Sequence, residues 1–428
     1  MYWPKVIGII LAVLCFGTLV VYPLRGEDGS PQPTGNSSIE QHPAYPWSDE
    51  SGFDIREDIR KAQEFLRHKK SGYTVRIEKT TVRVTSRRGK TREKVVKRKI
   101  IEPAFLLAVE NLKERRIRQV RFTSKGCETD GFDVVMTRNN GVGSRFEIRY
   151  PENMALLALR TMVHSGNKGY EEVVYTPYSP EIDTPQVRED GLNYLKGQLE
   201  SARADLEEKH VRLMDFNELF DGVAATEISL VLSIIEHIDP VRFEKSPPGG
   251  ETALVHEVLT IIGANTSAAY AYSRSPAGAR GLFQFIPGTY EKLLRKYPEA
   301  RLDRNFVSGC SNHVNAAKAS LLLFDSDLND LPSDYLHAIG ADALTVGRYL
   351  AAAYNCGSKR VERSLRGCTA GWTCLLPRET KVYLRKFDAV WNMRKLLDMQ
   401  WRPFPYEGSA PGDNRDLLKV LTLQPNGT

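Results

Sequence analysis

The sequence predicts an α+β protein: a mainly α-helical C-terminal domain preceded by a smaller α+β accessory domain and an N-terminal transmembrane helix. Three observations predict this. From about Asp215 onward, apolar residues recur at helical spacing in one segment after another, with short connections. Between Tyr73 and Tyr150, short stretches alternate apolar and polar residues around turn-forming Ser86-Arg87-Arg88-Gly89-Lys90 and Asn139-Asn140-Gly141. Val6 to Leu24 is an uncharged apolar run, long enough to cross a bilayer as a helix.

Taken in chain order, Lys5 before the apolar run favours a cytoplasmic N-terminus, and no A-x-A site follows the run. The expectation is an uncleaved single-pass inner-membrane anchor over 1–25, with secretion after signal cleavage as the alternative. Residues 26–51 are rich in Pro, Gly, Ser and Asn and read as a flexible linker. Ile55 to His68 has helical spacing. Tyr73 to Glu78, Thr81 to Val84 and Lys94 to Lys97 form a basic β-hairpin pattern. Pro103 to Arg116 reads as an amphipathic helix. Phe132 to Met136 and Phe146 to Tyr150 read as paired strands, and Pro151 to Val163 as another helix. A long helix from Val187 to Leu213 closes an accessory domain over 52–213. In the C-terminal region, 214–396, helices are expected at Thr226 to His237, Pro287 to Lys296, His313 to Asp325, Asp342 to Asn355 and Arg378 to Met393. Residues 397–428 read as a loosely packed tail.

The chain of 428 residues carries a net charge of only +6. The excess is concentrated: Ser51 to Lys125 holds 23 Lys and Arg against 9 Asp and Glu. This suits an anionic partner or an envelope protein at the accessory domain, and nucleic acid or lipid binding is the rival reading. Gly89-Lys90-Thr91 lacks the first glycine of a phosphate loop, and the eight histidines show no metal-ligand spacing, so no cofactor is expected. Four of the six cysteines lie beyond residue 300. In an exported domain they read as disulfides, Cys368–Cys374 across a short loop and Cys310–Cys356, leaving Cys127 over. Cys15 reads as an ordinary cysteine of the apolar run.

Glu236 is the strongest candidate for chemistry. It is the one charge in the apolar run Ile228 to Ile238, and Asp239-Pro240 ends the helix just after it. A carboxyl there is partly desolvated, which raises its pKa toward the range a general acid needs. Glu257 is the rival, but it lies within a helical stretch that no Asp-Pro terminates.

Four segments in order, Ile234-Ile235-Glu236-His237-Ile238-Asp239-Pro240, the run Ser273 to Pro287, Ala352-Ala353-Tyr354-Asn355-Cys356-Gly357 and Pro377-Arg378-Glu379-Thr380-Lys381-Val382-Tyr383, carry a resemblance. They resemble the signatures of the lysozyme-like soluble lytic transglycosylase (SLT) family, over roughly the last two-fifths of the chain. The chain departs from that pattern where His237 follows the glutamate in place of serine, and where an insertion at Pro247-Pro248-Gly249-Gly250 lengthens the path to Ser275. The resemblance implies a lysozyme-like fold for 214–396 and Glu236 as the single acid and base. It implies Ser275, Gln284, Tyr354, Asn355, Glu379 and Tyr383 along the glycan cleft. It also implies peptidoglycan strands as substrate, with the inner membrane reached through the N-terminal helix and catalysis in the periplasm. The expected reaction is cleavage of the MurNAc-β-1,4-GlcNAc bond with formation of 1,6-anhydro-MurNAc. A muramidase on the same fold and a non-catalytic glycan-binding or envelope-assembly protein are the alternatives.

Overall fold

The computed structural model describes residues 54–85, 91–164, 169–211, 222–332, 342–368 and 371–394. The first helix, α1 (Ile55–Arg67), is capped by the Asp54 carboxylate, which accepts from the Arg56 N–H, and buries Ile55, Ile59, Ala62 and Leu66 on one face. Next, among the described residues, come nine strands: β1 (Tyr73–Thr85), β2 (Thr91–Pro103), β3 (Phe105–Asn111), β4 (Arg116–Thr123), β5 (Gly126–Cys127), β6 (Asp133–Arg138), β7 (Arg145–Tyr150), β8 (Met154–His164) and β9 (Tyr170–Tyr175). Five of them form an antiparallel sheet in the order β5-β4-β3-β8-β9, while β1–β2 and β6–β7 are separate two-stranded ribbons.

The sheet is buried on both faces. Leu106, Ala108, Ala155 and Leu157 pack under α1. Phe105, Leu107, Val109, Val120, Phe122 and Leu156 point the other way, against Val134 of β6 and Phe146 of β7. Double burial explains two corrections. The stretches 103–116 and 151–163, expected as helices, are strands β3 and β8 with the start of β4. Their cores, Ala104 to Val109 and Met154 to Leu159, are unbroken apolar runs with no polar face, and so carry no period-two signal.

The long helix α2 (Pro185–Glu208) follows, capped by Thr184. After it come α3 (Gly222–Ile235), α4 (Pro240–Lys245), α5 (Glu251–Asn265), α6 (Pro287–Lys296), α7 (Phe306–Ser311), α8 (His313–Asn329), α9 (Ala343–Cys356), α10 (Ser358–Gly367) and α11 (Arg378–Met393). Their apolar faces share one core around α3, to which α2 contributes Leu192, Leu195, Leu199 and Leu206. Two glycines let α2 and α5 touch backbone to backbone. A Cβ on Gly191 would lie 2.1 Å from the Leu259 carbonyl oxygen, and one on Gly263 would lie 2.0 Å from that of Val187. Val187 itself belongs to the core beneath the sheet, so α2 serves both layers.

The architecture is therefore a mixed α+β fold, and the expectation of an α+β protein with an N-terminal transmembrane helix is corrected at that helix. Among the described residues, no helix is long and apolar enough to cross a membrane. The run Val6 to Leu24, on which the transmembrane helix and inner-membrane location rested, lies outside them. No described helix supports the expected anchor or the single-pass inner-membrane location. The linker 26–51 and the tail from 397 also lie outside the described residues. Cys368 and Cys374 form a disulfide. Cys310 and Cys356 are both free, which corrects their expected pairing: Cys310 is sealed in the core, where burial pushes its thiol up to about 12.

Candidate active site

Glu236 follows the last residue of α3 and still makes a helical bond, its N–H donating to the Leu232 carbonyl at 3.1 Å. Three residues on, the Asp239 carboxylate caps α4, accepting from the N–H of Val241 at 2.9 Å and of Arg242 at 3.2 Å, with Pro240 at the first helical position. The Asp-Pro pair thus turns the chain sharply and leaves Glu236 at the edge of the core. Part of the residue remains open to solvent, while its carboxyl is enclosed by protein atoms.

Helix α11 supplies the two groups that engage this turn. The Tyr383 hydroxyl donates to Oε1 of Glu236 at 2.6 Å. The Lys386 ammonium, buried, donates to the carbonyls of Ile235 at 3.0 Å and Ile238 at 2.8 Å, bridging the two sides of the glutamate. Burial dominates the electrostatics and raises the Glu236 carboxyl to about 7, against the lowering influences of the Tyr383 hydrogen bond and the Lys386 charge.

The glycine-rich segment closes on the same place. The Tyr354 hydroxyl at the end of α9 donates to the Phe283 carbonyl at 2.5 Å, and its ring packs on Phe285. Its phenol is held well above the usual tyrosine range, by burial first and then by the Glu236 charge. His237 stacks on Tyr270, ring centroids 3.5 Å apart, and its Nε2 lies 2.8 Å from the Leu282 carbonyl. Burial lowers His237 to about 3, so the ring is neutral and that nitrogen carries the donated proton. Residues 282 and 283 are therefore tied to the helix bearing Glu236 from one side and to α9 from the other.

The sequence-predicted residues divide into three groups. Glu236, Tyr383 and Tyr354 are brought together. Ser275 and Gln284 shape the loop itself. The Ser275 hydroxyl oxygen accepts from the Ala279 N–H at 3.0 Å, and the Gln284 amide donates to Ser273 Oγ at 2.8 Å and to the Gly281 carbonyl at 2.7 Å. Gly281 has a positive φ of 75°, and a Cβ there would meet the Cys310 carbonyl at 2.1 Å, so only glycine permits this approach. Asn355 and Glu379 are exposed. Asn355 accepts from the Thr380 hydroxyl at 2.7 Å, which joins the end of α9 to the start of α11. Glu379 takes no part in the cluster around Glu236.

Glu257 has a different role. One carboxylate oxygen is paired with Arg145 of β7 and the other with Arg242 at 2.7 Å. It joins the β6–β7 ribbon to α4 and α5. The sequence reading missed Lys386, His237 and Tyr270. Lys386 had a visible signal, since it stands among Thr380, Tyr383, Phe387 and Val390, all buried on α11. Among the described residues, no group of three or more His, Cys, Asp or Glu is gathered in a way that could hold a metal ion.

No protein-family model, no curated protein and no solved structure matches this chain.

Proposed function

We propose that the protein is a peptidoglycan lytic transglycosylase, a carbon–oxygen lyase acting on the MurNAc-β-1,4-GlcNAc bond with Glu236 as its one acid and base. The observation that carries the reading is the state of that carboxyl: enclosed, raised to about 7 and held by the Tyr383 hydroxyl. A group poised there can be protonated to give a proton and ionised to take one near neutrality. The resemblance of the surrounding segments to the SLT signatures supplies the substrate.

In the proposed reaction, protonated Glu236 donates to the glycosidic oxygen as the bond from C1 to that oxygen breaks. The carboxylate so formed removes the proton of the muramyl 6-hydroxyl, whose oxygen bonds to C1. The product carries a 1,6-anhydro ring, no water is consumed, and Glu236 ends protonated. Tyr383 would steady the ionised intermediate state by its hydrogen bond, and Lys386 by its charge. A hydrolase of the usual two-carboxylate kind needs a second acid flanking the bond. The nearest carboxylate along the chain, Asp239, is occupied in capping α4 and facing Arg138 at 3.7 Å. This favours the non-hydrolytic route over the muramidase.

The test is mass spectrometry of purified peptidoglycan sacculi digested with the full chain. Anhydro-muropeptides are the expected products. Reducing muropeptides alone would replace this reading with a muramidase, and no soluble product would favour a non-catalytic glycan-binding role.

A further inference from the structure

The β1–β2 ribbon has no part in the chemistry above. Its strands pair along thirteen residues each, from Tyr73↔Pro103 to Thr85↔Thr91, and among the described residues with no other strand. Its base touches the rest of the fold at Ser124, which lies beside Thr74. Beyond that, side chains on both faces are exposed: Ile77 is 62% and Val95 56% accessible. A lone two-stranded ribbon is at best marginally stable in water, and a third strand is what ordinarily secures it.

Charge on the ribbon is unbalanced. The described part carries Arg76, Lys79, Arg83, Arg92, Lys94, Lys97, Arg98 and Lys99 against Glu78, Glu93 and Glu102. Glu102 is paired with Arg76 and Glu93 with Arg83. Lys79 lies directly opposite Lys97, and Lys99 follows on the same face opposite Ile77. Like charges in facing positions destabilise a ribbon. At the base the Ala104 N–H bonds to the Gly72 carbonyl, so the alternation of the ladder turns the backbone groups of the odd-numbered residues outward on both edges.

We propose that this ribbon is an edge-addition site for an extended, acidic peptide strand of a partner protein. The open edges offer backbone donors and acceptors in register, and the lysines offer charge complementarity to carboxylates projecting from the added strand. A second copy of the ribbon is disfavoured because it carries the same excess of positive charge. Tyr73 is the only aromatic residue in 73–103, which leaves neither a stacking platform for single-stranded nucleic acid nor an aromatic lipid-facing side.

The test uses the full chain and a synthetic peptide of alternating Glu and Val. Controls are the same peptide N-methylated at alternate residues, a duplex DNA and phosphatidylglycerol vesicles. The plain peptide should bind, weaken about tenfold or more in high salt, and lose binding on N-methylation, which keeps charge and removes the edge hydrogen bonds. Thr81→Pro and Val95→Pro each remove one outward N–H and spare the ladder; one of the two should abolish binding and so identify the edge. The combined Lys79→Gln, Lys97→Gln and Lys99→Gln variant should weaken binding about tenfold or more. Circular dichroism would confirm that each variant is folded. Equal binding of the N-methylated peptide, indifference to both prolines, tighter binding of DNA or vesicles, or no binding of the plain peptide would each overturn the proposal.

Discussion

The Tyr383 hydroxyl donates to Oε1 of Glu236 at 2.6 Å, from a helix whose next inward turn delivers Lys386 to the carbonyls on either side of that glutamate. One helix face thus opposes the effect of burial on the charge of the proposed catalyst and braces its backbone. Removing the hydroxyl in Tyr383→Phe deletes an interaction that favours the ionised carboxyl, so the Glu236 pKa should rise further. The alkaline limb of activity should move upward by about one pH unit and the maximal rate should fall about tenfold or more. A pH–rate profile on solubilised glycan strands checks both.

The raised carboxyl also fixes how stability depends on pH. Below about 4.5 the group is protonated folded and unfolded alike. Between 4.5 and about 7 only the folded state keeps the proton, so stability declines as pH rises through that window and stays lowered above it. Glu236→Gln cannot ionise. It should match the wild type in stability near pH 4 and exceed it near pH 8 by up to ~3 kcal/mol. The groups that interact with the carboxyl, Tyr383, Tyr354 and Lys386, are common to both proteins. Denaturant titrations at the two pH values measure the difference, and an equal difference at both would contradict the shift.

Lys386→Met should destabilise the fold by about 1–3 kcal/mol, because it leaves the Ile238 carbonyl without the Lys386 donor and the Ile235 carbonyl with only the Ile238 N–H at the edge of the core. It also removes a positive charge that favours ionised Glu236, so activity that survives should shift to higher pH. Urea unfolding and the pH profile read the two effects separately.

Gly263→Ala places a methyl 2.0 Å from the Val187 carbonyl oxygen, where only backbone can yield. The α2–α5 contact must open, at a cost of about 1–3 kcal/mol or more. The effect should appear as loss of thermal stability with the spectroscopic content of helix and strand retained.

The apolar run before Glu236 and the Asp239-Pro240 stop were legible because burial and a helix end leave direct marks in sequence. The resemblance implies Tyr383 along the cleft but not its hydrogen bond to Glu236, since neither motif nor spacing says which helix faces which. Strands β3 and β8 were misread because segments buried on both faces lose the alternation that identifies a strand. His237 was unreadable as a brace: its role depends on Tyr270 and Leu282, which reach it only through tertiary packing. Cys310 and Cys356 show the limit of counting cysteines, because clustering in sequence does not supply a reachable partner.

The most direct measurement compares Glu236→Gln with Glu257→Gln on purified sacculi, after circular dichroism shows both folded. Glu257→Gln weakens the pairing with Arg145 and Arg242 and should lose stability while retaining cleavage. Glu236→Gln keeps the shape of the side chain but cannot cycle a proton, and its rate should fall by more than about 10²–10⁴, since one residue serves both transfers. Anhydro-muropeptides released by Glu257→Gln and absent from Glu236→Gln are the predicted result. Release by Glu236→Gln at the wild-type rate would contradict the account.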